Sequence, residues 1–457
     1  MTEDPKDTEP ADREFRERGG AMRSVIASRV CGTPPNMIMD RTGILVLYMT
    51  AMLIPPGQIL FLVSLFSLTA GFLTLVSSYY ADRFGPKKLG TIGALITVAA
   101  FCGVILAGFS SRGRAALVMG CCIVLYSLGA SMLGGGWLAL MHPLIPEGRR
   151  GRFLGTLRLC VQLVVVAVSI PLAFLLAEDS PAWLFQVIFI VPGLLLLLRL
   201  HFYRRVPQMD APAPEPEPLR KALAEILRVP GYVPFIAYVF LLALVTRNAP
   251  VLFCLLEKEI LGFGDGVIVA AGFAVTVGGM VGLALGGRVV DRYGTRVAFV
   301  ACHLAFGLLF GLFLLRDMAV PLVPGLFDSL LQSFTAPVSG SLFLYVSALQ
   351  FLFGLVLAVS NLAVTTELFA IMPRKNKALA SGISTSMIRM GIAFAGMLSA
   401  WILNSGILAA RWSMGGSELS AYDSLLLLSA AVVVVLVVTL GLVPSVIGKS
   451  RWEEVEP

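Results

Sequence analysis

The chain has 457 residues, of which 57% are hydrophobic and 14% are charged, and its mean hydropathy is +0.86. A water-soluble core cannot hide that much apolar surface, so the composition excludes a soluble domain and indicates a membrane protein. The formal net charge of +7 does not require a nucleic-acid partner, because Lys and Arg in cytoplasmic loops give multi-pass membrane proteins such an excess.

The apolar segments predict twelve membrane helices. Residues 1–22 come first; they are rich in charge and have no apolar run, which predicts a disordered cytoplasmic tail rather than a signal peptide. Windows of about 20 apolar residues, the length that crosses a bilayer, then follow twelve times. We predict helices 1 to 6 over 24–53, 57–80, 88–109, 115–144, 153–177 and 183–202, and helices 7 to 12 over 233–256, 267–287, 296–315, 341–372, 378–403 and 424–446.

A polar linker at 204–231 divides the chain into two six-helix bundles, 23–203 and 232–447, with a second cytoplasmic tail at 448–457. Its Pro-rich run at 211–218 predicts an extended spacer. Residues 219–227 place their apolar side chains on one helical face. They predict either an interfacial helix on the membrane surface or, equally, a solvated linker helix.

The polar loop after helix 2 occurs again after helix 8. The two copies read Ser78-Tyr-Tyr-Ala-Asp82-Arg83-Phe-Gly85-Pro-Lys87-Lys88 and Gly287-Arg-Val-Val-Asp291-Arg292-Tyr-Gly294-Thr-Arg296. Each copy lies between two long apolar runs, so each is predicted to be a short hairpin between membrane helices. The glycines allow a tight turn, and each aspartate lies near the start of a helix, where the helix dipole favours an anion.

This duplicated pattern closely resembles the signature loop of the major facilitator superfamily of transporters, which joins helices 2 and 3 and, more loosely, helices 8 and 9. The resemblance implies an all-α membrane fold of two pseudo-symmetric six-helix bundles. It also implies that the loops hold one half to the other on the cytoplasmic side and act in conformational gating. The residues that would do so are Asp82, Arg83, Gly85, Lys87, Lys88, Asp291, Arg292, Gly294 and Arg296.

The distribution of positive charge predicts the orientation. Most Lys and Arg residues of the loops follow the even-numbered helices, whereas the opposite loops carry only Arg112, Arg114, Lys258, Arg316 and Arg411. Because cytoplasmic loops are the positive ones, both termini are predicted to be cytoplasmic, in a multi-pass protein of the cytoplasmic (inner) membrane.

Few residues suggest an enzyme. The chain has three histidines and no H-E-x-x-H, and its seven cysteines lack the spacing of a zinc or redox site. Gly448-Lys449-Ser450 resembles the end of a nucleotide-binding loop, but position 443 is Val443 where that loop needs glycine. We therefore predict no catalytic residues, no cofactor and no metal.

Two arginines within membrane helices are the main candidates for substrate binding. Arg41 and Arg247 occupy equivalent places when the two halves are aligned at an offset of 206, and such charges cost about 2.5–3.5 kcal/mol at a helix centre. The resemblance places helices 1, 4, 7 and 10 around a central cavity, where two guanidinium groups suit a carboxylate or phosphate. The alternative is that Arg41 pairs with Asp40 or another carboxylate and only holds helices together.

Other polar residues complete the predicted site. Asn248, Asn361 and Arg389 are further candidates for substrate binding, and Asp40 and Glu367 for ion coupling; Glu367 has the alternative of pairing with loop arginines. Two further patterns carry simpler interpretations. The run Glu257-Lys258-Glu259 is predicted to be a solvated rim, and the glycines at 278, 282 and 286 are either static packing or a sliding surface.

Together these features predict a secondary active transporter that moves a small solute by alternating access, with an organic anion or phosphate-bearing metabolite as substrate. The alternatives are an exporter of apolar or cationic compounds and a non-transporting sensor or assembly factor on the same fold. The expected partners are the substrate, a coupling proton or other ion, and the lipid bilayer. No nucleic acid is expected, and we expect a monomer.

Overall fold

The structure is a computed structural model, and it describes residues 19–40, 43–135, 137, 140, 150–176, 179–207, 218–322, 328, 338–371, 377–414 and 417–438. In the described part of the N-terminal half, almost every residue lies in a helix. After helical residues 19–31, helix 1 comprises Thr33–Asp40 and Ile44–Ala51, and the helices that follow are helix 2 (Pro56–Phe84), helix 3 (Pro86–Ala107), helix 4 (Arg112–Gly135), helix 5 (Arg150–Leu175) and helix 6 (Ala182–Arg205).

The C-terminal half repeats this plan and adds a small sheet. The linker helix is Leu219–Leu227. Helix 7 comprises Tyr232–Thr246 and Ala249–Glu259; helices 8 and 9 together span Asp265–Leu314, with a bend at Gly294; helix 10 is Gly340–Ile371, helix 11 Lys377–Ser405 and helix 12 Ala421–Leu436. Short turns at Arg316–Ala319 and Val320–Leu322 follow helix 9, and the strands β1 (Arg411–Met414) and β2 (Ser417–Ser420) precede helix 12.

A described helix lies in each of the twelve predicted regions. Nine of them are long and apolar enough to cross a membrane, within the described residues. Helices 5 and 12 have shorter apolar segments, Cys160–Leu175 and Ala421–Leu436, and helix 1 is the remaining one. Large apolar side chains such as Phe109 and Phe174 are exposed, as expected for a surface that faces lipid. The predicted all-α membrane fold is confirmed.

The contacts divide the chain into two compact units. Unit 1 contains residues 1–41, 72–168 and 183–217, and unit 2 contains residues 42–71, 169–182 and 218–457. Unit 2 therefore combines the C-terminal half with parts of helices 1, 2 and 5. This division differs from the one drawn at the linker, and the packing of unit 2 explains the difference.

In unit 1, the N-terminal helical residues pack into a buried cluster with helices 3, 4 and 6. Val25, Leu133, Trp137 and Tyr203 belong to this cluster. Helices 3 and 4 cross closely, because a Cβ atom on Gly93 would lie 2.5 Å from the carbonyl oxygen of Gly129. The crossing therefore depends on small residues, as is common between membrane helices.

In unit 2, helices 8 and 10 make backbone contact. A Cβ atom on Gly278 would overlap the carbonyl oxygen of Phe351, one on Gly282 that of Leu355, and one on Gly354 that of Val275. The helix 8 glycine stripe thus packs against a helix of the same half. Of the two interpretations of the stripe, the structure supports static packing.

One end of unit 2 contains the end of helix 7 and the start of helix 8, which meet near 259–265, and the start of helix 10. We call it the outer end, because the loop charges predict that it faces away from the cytoplasm. Here helix 2 packs on helix 11, and a Cβ atom on Gly57 or on Gly396 would overlap Asn404 or Ser64, respectively. Helix 8 begins against helix 5, since a Cβ atom on Gly266 would lie 2.5 Å from the carbonyl oxygen of Leu176. These contacts place the outer parts of helices 1, 2 and 5 in unit 2.

The strands β1 and β2 form an antiparallel hairpin between helices 11 and 12, which the sequence analysis did not predict. Helix 12 begins directly after β2 with a capping box, in which the Ser420 hydroxyl and the Asp423 carboxylate satisfy each other's backbone N–H groups. Asp423 also forms a buried bidentate ion pair with Arg316, with N···O distances of 2.5 and 3.1 Å. The hairpin is thereby tied to the outer end of helix 9.

The linker helix packs against helices 7 and 11. Its buried residues are Ala222 and Ile226, whereas Arg220, Lys221 and Leu227 are exposed. Part of its apolar face is therefore covered by protein, and an interfacial position at the membrane surface stays a prediction.

Candidate functional site

Helix 7 is interrupted: its first segment ends at Thr246 and its second begins at Ala249. In helix 1 the described segments are Thr33–Asp40 and Ile44–Ala51, and residues 41 and 42 between them are not described. Interrupted helices leave backbone groups without intrahelical partners, and in transporters such breaks line substrate and ion sites. Arg41 itself lies outside the described residues.

The break in helix 7 has a clear local cause. Pro250, in the first turn of the second segment, has no N–H to donate to the carbonyl group of Thr246, four residues earlier. Arg247 and Asn248 link the two segments. The break therefore fixes both residues between two short helices rather than within one long helix.

A small recess, partly open, lies beside this break, within unit 2. Helix 7 contributes one wall, helix 10 a second, and helix 11 a single residue. The lining residues are Val239, Leu242, Ala243, Thr246, Arg247, Leu357, Ser360, Asn361, Val364 and Ile388. Two of the predicted binding residues, Arg247 and Asn361, are thus brought together.

The other predicted binding residues lie elsewhere in unit 2. The Asn248 side chain is buried and its amide donates to the hydroxyl group of Ser399 on helix 11, at 3.4 Å. Arg389 lies on helix 11 with its guanidinium carbon 5.6 Å from the centre of the Phe66 ring of helix 2. Neither residue is among those that line the recess.

The two predicted coupling carboxylates occupy different units. Asp40 is partly buried and ends the first segment of helix 1. Glu367 is buried and accepts a hydrogen bond of 2.7 Å from the hydroxyl group of Thr295, directly after the second signature-loop glycine. The hydroxyl partner of Glu367 is thus a loop threonine, and its role in coupling stays a prediction.

In unit 1, the structure adds a pair that the sequence analysis did not single out. The hydroxyl group of Tyr126, on helix 4, donates to the amide oxygen of Asn36 on helix 1, at 2.7 Å. Asn36 lies four residues before Asp40, so the two share a helical face. This spacing was the available signal for the pair.

The two signature loops have matching turns. Gly85 has φ 86° and Gly294 has φ 79°, a region that side chains rarely adopt. The guanidinium carbon of Arg292 lies 5.5 Å from the ring centre of Tyr293, while Lys87 and Lys88 lie in the first turn of helix 3 and Arg296 is exposed. The side chains of Asp82, Arg83 and Asp291 lie outside what the structure describes, and the gating role of the loops stays a prediction.

The prediction of a solvated rim at the end of helix 7 is wrong for Glu257. This residue is 1% exposed and accepts a hydrogen bond from the amide of Gln350, on helix 10. Helix 10 covers the carboxylate, and nothing in the local sequence around Glu257 indicates such a cover. Glu259, two residues later, is exposed as predicted.

Lys258 connects three segments at the outer end. Its ammonium group lies 2.8 Å from Asp265, at the start of helix 8, and 2.8 Å from Asp179, between helices 5 and 6. The second oxygen of Asp265 accepts from the backbone N–H of Ser180 at 3.0 Å. The outer ends of helices 5, 7 and 8 are therefore held together by charge. No group of His, Cys, Asp and Glu within the described residues could hold a metal ion.

The comparisons with known proteins agree with this architecture. A family model described as Major Facilitator Superfamily matches residues 37–339, whereas comparison with curated protein sequences finds no match. Nucleoside transporter NupG is similar at 13% identity and a TM-score of 0.61, over 92% of this chain and 97% of that one. A D-xylose-proton symporter is similar at 14% identity and a TM-score of 0.63, over 91% and 96% of the two chains.

A POT family transporter in complex with a thioalcohol conjugated peptide is similar at 11% identity and a TM-score of 0.65, over 93% and 96% of the two chains. At such identities the likeness shows a shared fold and says nothing of the substrate. The family model covers well over half of the sequence. The chain therefore belongs to the Major Facilitator Superfamily and is a transporter of that family.

Proposed function

We propose that this transporter is a secondary active carrier of a small organic anion, and that the recess beside Arg247 receives the anionic group. The observation that carries the proposal is the composition of the recess. Arg247 lines the recess together with the polar residues Thr246, Ser360 and Asn361, and the other lining residues are apolar.

The polar side of the recess suits a carboxylate or phosphate. A guanidinium group can donate two parallel hydrogen bonds to either anion. Asn361 adds amide donors, and Ser360, which is buried, adds a hydroxyl group. Apart from Arg247, the groups that donate to the anion would be neutral. The single positive charge of Arg247 would then face the single negative charge of the anion.

The apolar side suits the carbon skeleton of a metabolite. Leu242, Leu357 and Ile388 come from helices 7, 10 and 11 and belong to this lining. Ligand sites typically combine such apolar walls with a few polar groups that fix orientation. We therefore expect a small organic acid or phosphate ester rather than an inorganic ion.

Alternating access is supported by the packing at the outer end. Helix 2 packs on helix 11 and helix 5 on helix 8, with glycines at the crossings, and Lys258 joins helices 5, 7 and 8. These contacts connect elements of the two sequence halves. We propose that they separate when the transporter opens to the outer side, and that the broken helix 7 carries this motion past the recess.

Uptake into proteoliposomes tests the proposal. Labelled carboxylates and sugar phosphates are compared with neutral sugars, nucleosides and organic cations, for the wild type, for Arg247→Lys and for the control Arg204→Lys, which changes an exposed arginine at the end of helix 6. We expect anions to be taken up. We also expect Arg247→Lys to lose a charged hydrogen bond worth about 1.5–3 kcal/mol, about ten- to hundredfold in apparent affinity.

Two results would contradict the proposal. One is uptake restricted to neutral or cationic compounds, which would favour an exporter of apolar or cationic compounds. The other is full anion affinity in Arg247→Lys at equal membrane levels, since a compact ammonium group cannot reproduce the planar guanidinium fork. The Arg204→Lys control should match the wild type in both assays.

A further inference from the structure

Glu257 is a carboxylic acid enclosed by protein near the outer end of helix 7. It is 1% exposed, and Gln350, the residue that donates to it, is 2% exposed. Phe253, one helical turn before Glu257, is buried, and its ring packs against that of Phe353, three residues after Gln350. Water therefore does not solvate this carboxyl group in the present conformation.

Among the described residues, no Lys or Arg forms an ion pair with Glu257, and the partner given for its carboxylate is the neutral amide of Gln350. Lys258, the next residue, is shared between Asp179 and Asp265 at 2.8 Å each. The ammonium group of Lys258 is therefore engaged by these two carboxylates.

The other titratable groups near Glu257 do not supply a positive charge that would balance an ionised carboxylate. On helix 7 they are Cys254 and the exposed Glu259. The elements that pack against this segment contribute Tyr48 from helix 1, Asp265 from helix 8 and Tyr422 from helix 12, and Arg316 forms its own buried pair with Asp423. Arg316 is thus already paired with Asp423.

The surroundings of Glu257 suit a protonated, neutral carboxyl group and do not suit an ionised one. Burying an ionised carboxylate without a cation is far costlier than burying its neutral form. A protonated carboxyl group offers one donor and one acceptor, and the amide of Gln350 offers the complementary pair. The amide can take either orientation, so the pair forms without any charge.

We propose that Glu257 is a proton-binding site and that the outer end of the transporter closes only when this residue is protonated. The proton comes from the outer solution, forms an O–H bond on the carboxyl group, and returns to that solution when the outer end reopens. This inference rests on the proposed function, because closure of the outer end is a step of the proposed transport cycle. It does not depend on the identity of the substrate.

The first test uses infrared spectroscopy of the full-length purified protein. The wild type is compared with Glu257→Gln, an uncharged isostere that should fold, and with Glu259→Gln, the matched control at an exposed position of the same helix. We expect a protonated-carboxyl carbonyl band at neutral pH that is lost in Glu257→Gln and kept in Glu259→Gln. In Gln350→Met the band should remain and shift in frequency, because its hydrogen bond is gone.

The second test measures closure through a native cysteine. Cys254 is buried, and its sulfur lies 3.8 Å from the carbonyl oxygen of Gly43, directly before the second segment of helix 1. Labelling of Cys254 by a water-soluble maleimide, located by peptide mass spectrometry, should increase with pH in the wild type and in Glu259→Gln. In Glu257→Gln the increase should be reduced at least severalfold, because the closed state no longer depends on a proton.

The proposal is overturned if the acid band is missing from the wild type or survives in Glu257→Gln. It is also overturned if Glu257→Gln and Glu259→Gln show the same pH dependence of Cys254 labelling. If Glu257→Gln purifies poorly, the wild type and Gln350→Met are compared instead: the band must be present in the wild type and shifted in frequency in Gln350→Met. None of these measurements requires a substrate, so a failure of anion uptake and a failure of the proton site are separate results.

Discussion

Lys258, at the end of helix 7, lies 2.8 Å from Asp179, in the connection between helices 5 and 6. The same ammonium group lies 2.8 Å from Asp265, whose side chain is 4% exposed whereas that of Asp179 is 89% exposed. The pair with Asp265 is therefore the better protected from water. Because these residues join elements of both sequence halves, we expect Lys258 to stabilise the closed outer end.

Replacement of this lysine tests that expectation. Lys258→Gln should lose charged hydrogen bonds worth about 1.5–3 kcal/mol, which shifts the balance toward the open form by about ten- to hundredfold. Faster maleimide labelling of Cys254 at constant pH would report the shift. Arg411→Gln is the control, because its partner Glu418 is exposed and 3.9 Å away, and exposed pairs contribute little. Equal labelling rates in both variants would rule out the role of Lys258.

The buried pair of Arg316 and Asp423 should be important for stability. In Asp423→Asn the guanidinium group keeps its charge but loses its partner inside the protein, and the capping box of helix 12 loses its acid. Breaking one partner of a buried pair typically costs about 3–5 kcal/mol. Thermal unfolding in detergent should therefore occur at a clearly lower temperature. Asp317→Asn, at a half-exposed carboxylate 4.0 Å from Arg316, should unfold like the wild type; similar midpoints for the two variants would contradict the argument.

The second signature-loop glycine should resist substitution. Gly294 has φ 79° and ψ 164°, a region that is essentially open to glycine only, so Gly294→Ala should cost about 1–3 kcal/mol. Gly287→Ala is the matched control on the same helix, because its added methyl group meets nothing within 4 Å. There alanine should stabilise the helix by about 0.5–1 kcal/mol. Unfolding midpoints that move in the same direction would argue against a strained turn at Gly294.

The crossing of helices 8 and 10 gives a separate prediction. A Cβ atom on Gly354 would overlap the backbone of Val275, and backbone cannot rotate away as a side chain can. Gly354→Ala should push the helices apart and cost about 1–3 kcal/mol. Gly311→Ala, on helix 9, meets nothing within 4 Å and should be neutral or stabilising. An unchanged unfolding temperature in Gly354→Ala would show that the crossing can relax.

The helices were predictable because their signal is local. A run of apolar residues crosses a bilayer wherever it occurs, and the repeated loop gives the register of the two halves. Two missed features also had local signals. Pro250 predicts the break in helix 7. The hairpin has Gly415-Gly416 between two short segments and Ser420 three residues before Asp423, which are hairpin and capping patterns.

The candidate site was less predictable because it depends on distant partners. Glu257 is adjacent to Lys258 in the sequence, yet its partner Gln350 is 93 residues away. Similarly, Asn248 follows Arg247 directly but contacts Ser399 instead of the recess. Sequence spacing identifies which residues are unusual in a membrane helix. It does not determine which neighbour covers each of them, because that depends on how the helices pack.

The hairpin of β1 and β2 also matters for experiments on this transporter. Most of the chain is helix, so it offers few rigid features outside a lipid or detergent belt. A two-stranded sheet has two unpaired edges, and this one is anchored at its base by the Asp423–Arg316 pair. An antibody fragment that recognises the exposed hairpin residues Arg411, Ser413 and Glu418 would thus bind the C-terminal half, and it could serve as a fiducial mark for particle alignment in electron cryomicroscopy.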